Sequence, residues 1–90
     1  MKTFEFIEEI QKLGLNVNKS HDSVRAVINI SMPKKNRSGY NPGKIAVVST
    51  TNMYEVSCRW EAYTLLKNSH KKILWDLIKA YVETEIEDRI

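Results

Sequence analysis

Residues 24–50 read "VRAVINISMPKKNRSGYNPGKIAVVST", and the fold turns on how the two ends of this stretch are taken. In the first, Val24, Ala26, Ile28 and Ile30 alternate with Arg25, Val27 and Asn29. A period of two is the mark of a half-buried strand, with the first set facing the core. The second, "KIAVVST", is short and rich in β-branched residues, so it too reads as a strand. Between them lie two prolines, two glycines, one tyrosine and three cations with no acid, and Lys44 adds a fourth cation at the edge, which makes this stretch the tip of a long hairpin.

Working outward, "TN" turns the chain again and "MYEVSC" places Tyr54, Val56 and Cys58 on one side of a further strand. Upstream, "LNVN" is a short strand with Leu15 and Val17 pointing one way, followed by a turn at "KSHDS". Four strands joined by turns predict an antiparallel meander with one apolar face, which helices must cover. The termini supply them. Phe6, Ile7, Ile10 and Leu13 share one face of an N-terminal helix, with Thr3 placed to cap it and Gly14 to stop it. Near the other end "RWEAYTLL" reads as a short helical turn leading into "HKKILWDLIKAYVET", a helix with Asn68 or Ser69 as its cap and an end near Thr84. Leu74, Leu77, Ile78 and Tyr81 form its apolar stripe, flanked by Ile73 and Ala80 on one side and Trp75 and Val82 on the other. The expected fold class is therefore α+β, a single two-layer domain over residues 1–90. It comprises an N-terminal helix, a four-stranded antiparallel β-meander, then a short helix and a C-terminal helix packed on one sheet face.

Composition bounds the function. A chain of 90 residues buries only about 60–65% of the surface its unfolded form exposes, which leaves little room for an enclosed active site. No apolar run approaches the roughly 20 residues needed to span a bilayer, and acids interrupt the N-terminal stretch where a signal peptide would be apolar. A cytoplasmic protein with no membrane contact is expected. The one cysteine, Cys58, excludes an internal disulfide. The net charge of +3 hides a segregation: residues 19–72 hold ten Lys/Arg against three acids, and residues 73–90 hold two against five. Such polarity suggests a directional surface rather than a uniformly basic nucleic-acid binder.

The terminal segments "FIEEIQKLGLNV" and "LWDLIKAYVETEIEDR" resemble those of small uncharacterised phage and prophage proteins of Gram-positive bacteria. That group often opens with a helix ending in "LG" plus an apolar residue and closes with "LIxxYAxTPxxxR". The matching residues are Leu77, Ile78, Tyr81, Thr84 and Arg89, whereas Val82 stands where the group has Ala and Glu85 where it has Pro. The likeness spans most of the chain. It implies a non-enzymatic accessory protein acting on a host protein or ribonucleoprotein. By looser analogy with helix–sheet–helix phage proteins of similar size, it implies an anti-CRISPR-type inhibitor of a nuclease.

The residues themselves point the same way. Cys58 as a nucleophile would need a base beside it, but His21 falls in an expected turn and His70 at a helix start. Cys58 reads better as a small core hydrophobe. The ligand spacings of a metal site and the Gly-rich loop of a phosphate site are both missing, so no enzyme, metal or cofactor is expected. Lys34, Lys35, Arg37 and Lys44 are suited to an anionic partner, with Tyr40 as an anchor and Arg25 and Arg59 extending the basic surface. Direct nucleic-acid binding through the same hairpin is the alternative, weakened because Tyr40 has no aromatic neighbours to stack with. The bland reading is a solvated tip whose lysines and prolines discourage edge pairing.

Two more surfaces follow from the last helix. Lysines at a helix start oppose the dipole, so Ser69, Lys71 and Lys72 form a candidate anion site; tolerated surface charge is the plainer account. Trp75 is expected in the core, while Trp60 is open between core and rim. If exposed beside Val82 and Ile86, Trp75 would mark a self-association surface.

Overall fold

In a computed structural model of the chain, the structure describes residues 1–21, 26–33, 43–58 and 61–90. Helix α1 (Thr3–Lys12) leads into strands β1 (Asn16–His21), β2 (Ala26–Ser31), β3 (Lys44–Ser49) and β4 (Val56–Ser57). A 3-10 turn at Glu61–Leu65, helix α2 (Asn68–Val82) and a closing 3-10 turn at Ile86–Arg89 complete the order. The described strands form one antiparallel sheet in the order β1-β2-β3-β4, a meander, and the α+β class stands.

Register explains the single apolar face. Ile28 pairs with Val48 and Ile30 with Ala46, and all four are fully buried beneath the helices. The opposite face carries Asn29, whose amide donates to Asn18 Oδ1 at 3.2 Å and Ser20 Oγ at 2.9 Å. Strict alternation would aim Ile45 at that polar face. A bulge between Ile30 and Ser31 brings Ser31 opposite Lys44, so Ile45 turns inward and is buried beside Ala46. Close to this bulge Gly43 meets the 3-10 turn: a Cβ there would lie 2.5 Å from Ala62 Cβ, so only glycine allows the approach.

The helices close the core. Phe6 and Ile10 of α1 and Leu74, Ile78 and Tyr81 of α2 lie at or near zero exposure against the sheet. The Phe6 and Tyr81 rings stack with centroids 4.5 Å apart and planes at 11°. Helix α1 ends as its sequence predicts, with Gly14 in the left-handed region at φ 82° and its N–H donated to Gln11 C=O at 2.9 Å.

Several local expectations need correction. Strand β1 runs to His21, because Lys19, Ser20 and His21 pair with Ile28, Val27 and Ala26; cross-strand pairing overrides the turn-forming residues. Tyr54 is not in a strand. It sits in a turn at φ 59°, 69% exposed, with its N–H donated to Val82 C=O at 3.1 Å. Neither helix is capped by the expected side chain. Lys2 precedes α1 and donates its N–H to Glu5 Oε1 at 2.9 Å, while the Thr3 hydroxyl shares a hydrogen bond of 2.8 Å with Tyr81. Lys67 precedes α2 because its C=O already accepts from Lys71 N–H at 2.9 Å.

Past α2 the chain folds back on itself. Arg89, 2% exposed, donates from Nε to Thr84 C=O at 3.1 Å, from Nη1 to Ser49 C=O at 3.0 Å and from Nη2 to Val82 C=O at 3.3 Å. Its guanidinium lies 4.3 Å from the Tyr81 ring centroid. Two of these carbonyls lie at the negative end of α2, so the buried cation is held by the helix dipole as well as by hydrogen bonds. Residues Tyr81, Thr84 and Arg89 thus serve one structural junction.

Glu85 stands in the same junction, between α2 and the closing 3-10 turn. Its backbone, φ −56° and ψ 143°, has the shape proline adopts unaided. Glu85→Pro is therefore expected to raise stability by about 0.4–1 kcal/mol, by restricting the unfolded chain. A higher urea midpoint would show it, and a lower one would mean that the Glu85 N–H or the Thr84 backbone is compromised.

Candidate interaction surface at the start of the second helix

Lys71 and Trp75 stand one turn apart on α2, so both project toward the preceding 3-10 turn. There they meet Tyr63. The Trp75 indole N–H donates to the Tyr63 hydroxyl, and the rings meet edge to face at 6.5 Å and 83°. The Lys71 ammonium lies 5.4 Å from the Tyr63 centroid. Trp75 nevertheless remains 42% exposed, which corrects its expected place in the core. The helical stripe explains why: Leu74, Ile78 and Tyr81 point at the sheet, and Trp75 lies beyond the arc that sheet and α1 cover. In the adjoining turn Leu65 is 72% exposed.

The charges around this cluster are uneven. Lys67, Lys71 and Lys72 gather at the start of α2, where the first turn holds no acid. Lys72 is paired with Asp76 at 3.1 Å and Lys79 with Glu83 at 3.1 Å. Exposed pairs of this kind contribute only about 0.3–0.5 kcal/mol each. Lys67 and Lys71 have no carboxylate partner among the described residues. The other end of α2 carries Glu83, Glu85, Glu87 and Asp88, all exposed.

The remaining expected sites fare differently. Lys34, Lys35, Arg37, Tyr40, Arg25, Arg59 and Trp60 lie outside the described residues. Lys44 opens β3 with its side chain exposed. Ser69, Lys71 and Lys72 do not converge: Ser69 and Lys71 are about 200° apart around the helix, and Lys71 leans on Tyr63 while Lys72 pairs with Asp76. Nor do Trp75, Val82 and Ile86 make one exposed flank. Val82 is 7% exposed, and its carbonyl is engaged by Tyr54 and Arg89. Burial alone raises the Cys58 thiol above its ordinary pKa, the reverse of what a nucleophile needs. Among the described residues His21 is exposed on β1, His70 is half-buried on α2, and no group of His, Cys, Asp or Glu is arranged for a metal. No described helix is long and apolar enough to cross a membrane.

Comparison with known proteins finds no matching family model, curated protein or solved structure, so function must be argued from these residues. The sequence by itself does not announce the contact of Tyr63 with Trp75. Their pairing bridges two helical elements of different pitch, and no single periodicity spans both.

Proposed function

We propose that the chain is a non-enzymatic accessory protein, of the kind made by phages and prophages, that binds and modulates a macromolecule of the bacterial host cytoplasm. Inhibition of a host nuclease is its most specific form. The reading is carried by the exposed Trp75, held in a fixed pose by Tyr63 and bordered by Lys71, which lacks an acidic partner among the described residues. An oriented tryptophan loses little entropy on docking, and such residues dominate binding energy at interfaces. The excess of cations over residues 19–72 adds steering toward an acidic partner.

The test is a complex built from purified parts. Protein immobilised and exposed to host lysate is expected to retain one partner in stoichiometric amount. That partner's activity in a purified assay then changes on adding the protein. Retention of none, or of one whose activity does not respond, overturns the proposal. A low-salt mobility shift with nucleic acid and no host protein would replace it with direct nucleic-acid binding.

A further inference from the structure

The geometry points to an acidic polypeptide segment, carboxylates flanking an apolar side chain, as the occupant of the Tyr63–Trp75–Lys71 surface. This rests on the binding role proposed above and names the chemistry of its partner. Charge selects an anionic occupant, since Lys67 and Lys71 are cations without acidic partners among the described residues.

Size and shape then select polypeptide over nucleic acid. Among the described residues the cations of this patch without an acidic partner are Lys67 and Lys71, one turn or about 6 Å apart, and Lys72 is already paired with Asp76. A single-strand site tracks roughly four or more nucleotides with a cation row along the backbone. The described patch is shorter than that, and it matches two carboxylates of one peptide. Stacking platforms also need successive free ring faces. Here Lys71 sits over the Tyr63 ring and Trp75 meets it edge on, leaving Trp75 as the one open aromatic of the pair. The exposed Trp75 offers apolar contact for a side chain between the carboxylates.

Selection from a displayed library of random short peptides tests this. The intact protein is expected to enrich sequences with Asp or Glu on both sides of an apolar residue. Trp75→Ala should weaken a selected peptide roughly thirtyfold, the size of a hot-spot truncation. Lys71→Glu should weaken it at least about tenfold, by turning attraction into repulsion. Trp75 is exposed and Lys71 half-buried outside the core, and unchanged circular dichroism would confirm that both variants fold. Enrichment of no acidic class, or of peptides that both variants bind equally well, overturns the inference. So does oligothymidine binding, or a dimer by light scattering, that these substitutions abolish. A host complex that survives both substitutions would leave the proposed function standing and remove only this site.

Discussion

Arg89→Ala is expected to lower the unfolding free energy by about 2–4 kcal/mol. The substitution strips three carbonyls, at Ser49, Val82 and Thr84, of a charged donor in a buried junction. Hydrogen bonds to charged groups contribute about 1.5–3 kcal/mol each, less when several share one side chain and the site can admit water. For a domain of this size the loss corresponds to a melting temperature lower by roughly 10–25 °C. Arg89→Lys keeps the charge but not the fork that reaches three acceptors at once, so it should recover less than half the loss. A change within about 0.5 kcal/mol for Arg89→Ala would mean that the guanidinium is solvated and the junction contributes little.

The second large effect lies across the same junction. Tyr81 is fully buried, stacked on Phe6, and approached by Arg89. Tyr81→Ala removes the ring and leaves a cavity, at a cost of about 3–5 kcal/mol. A 90-residue domain has roughly 5–13 kcal/mol in total, so this variant should be close to unfolded at ambient temperature. Tyr81→Phe keeps the ring and gives up only the 2.8 Å hydrogen bond to Thr3, for about 1 kcal/mol. Urea denaturation of both variants separates packing from hydrogen bonding. Equal losses would show that the hydroxyl, not the ring, holds α1 to α2. Because Tyr81 and Arg89 touch, the double variant Tyr81→Ala with Arg89→Ala should lose less than the two single losses combined.

The junction also gives the closing motif its physical sense. Tyr81, Thr84 and Arg89 fasten the end of α2 to β3 and to the N-terminus. Met1 donates its ammonium to Thr84 Oγ1 at 2.9 Å, and Thr84 Oγ1 donates to Ala80 C=O at 2.8 Å. These residues close the fold and say little about the partner.

By itself the sequence determined which faces are apolar. The period of two in residues 26–31 and the stripe Leu74, Ile78 and Tyr81 fixed strands, helices and the one-sided sheet; Gly14 fixed the end of α1. These are local signals, written within a few residues of where they act. Only the tertiary structure decided that Arg89 turns inward to a carbonyl 40 positions away, that Tyr54 adopts a left-handed backbone, and that Trp75 stays at the surface against Tyr63. Each depends on atoms brought together from distant segments. The same arginine or tryptophan in the same local sequence would face water or core according to what packs beside it.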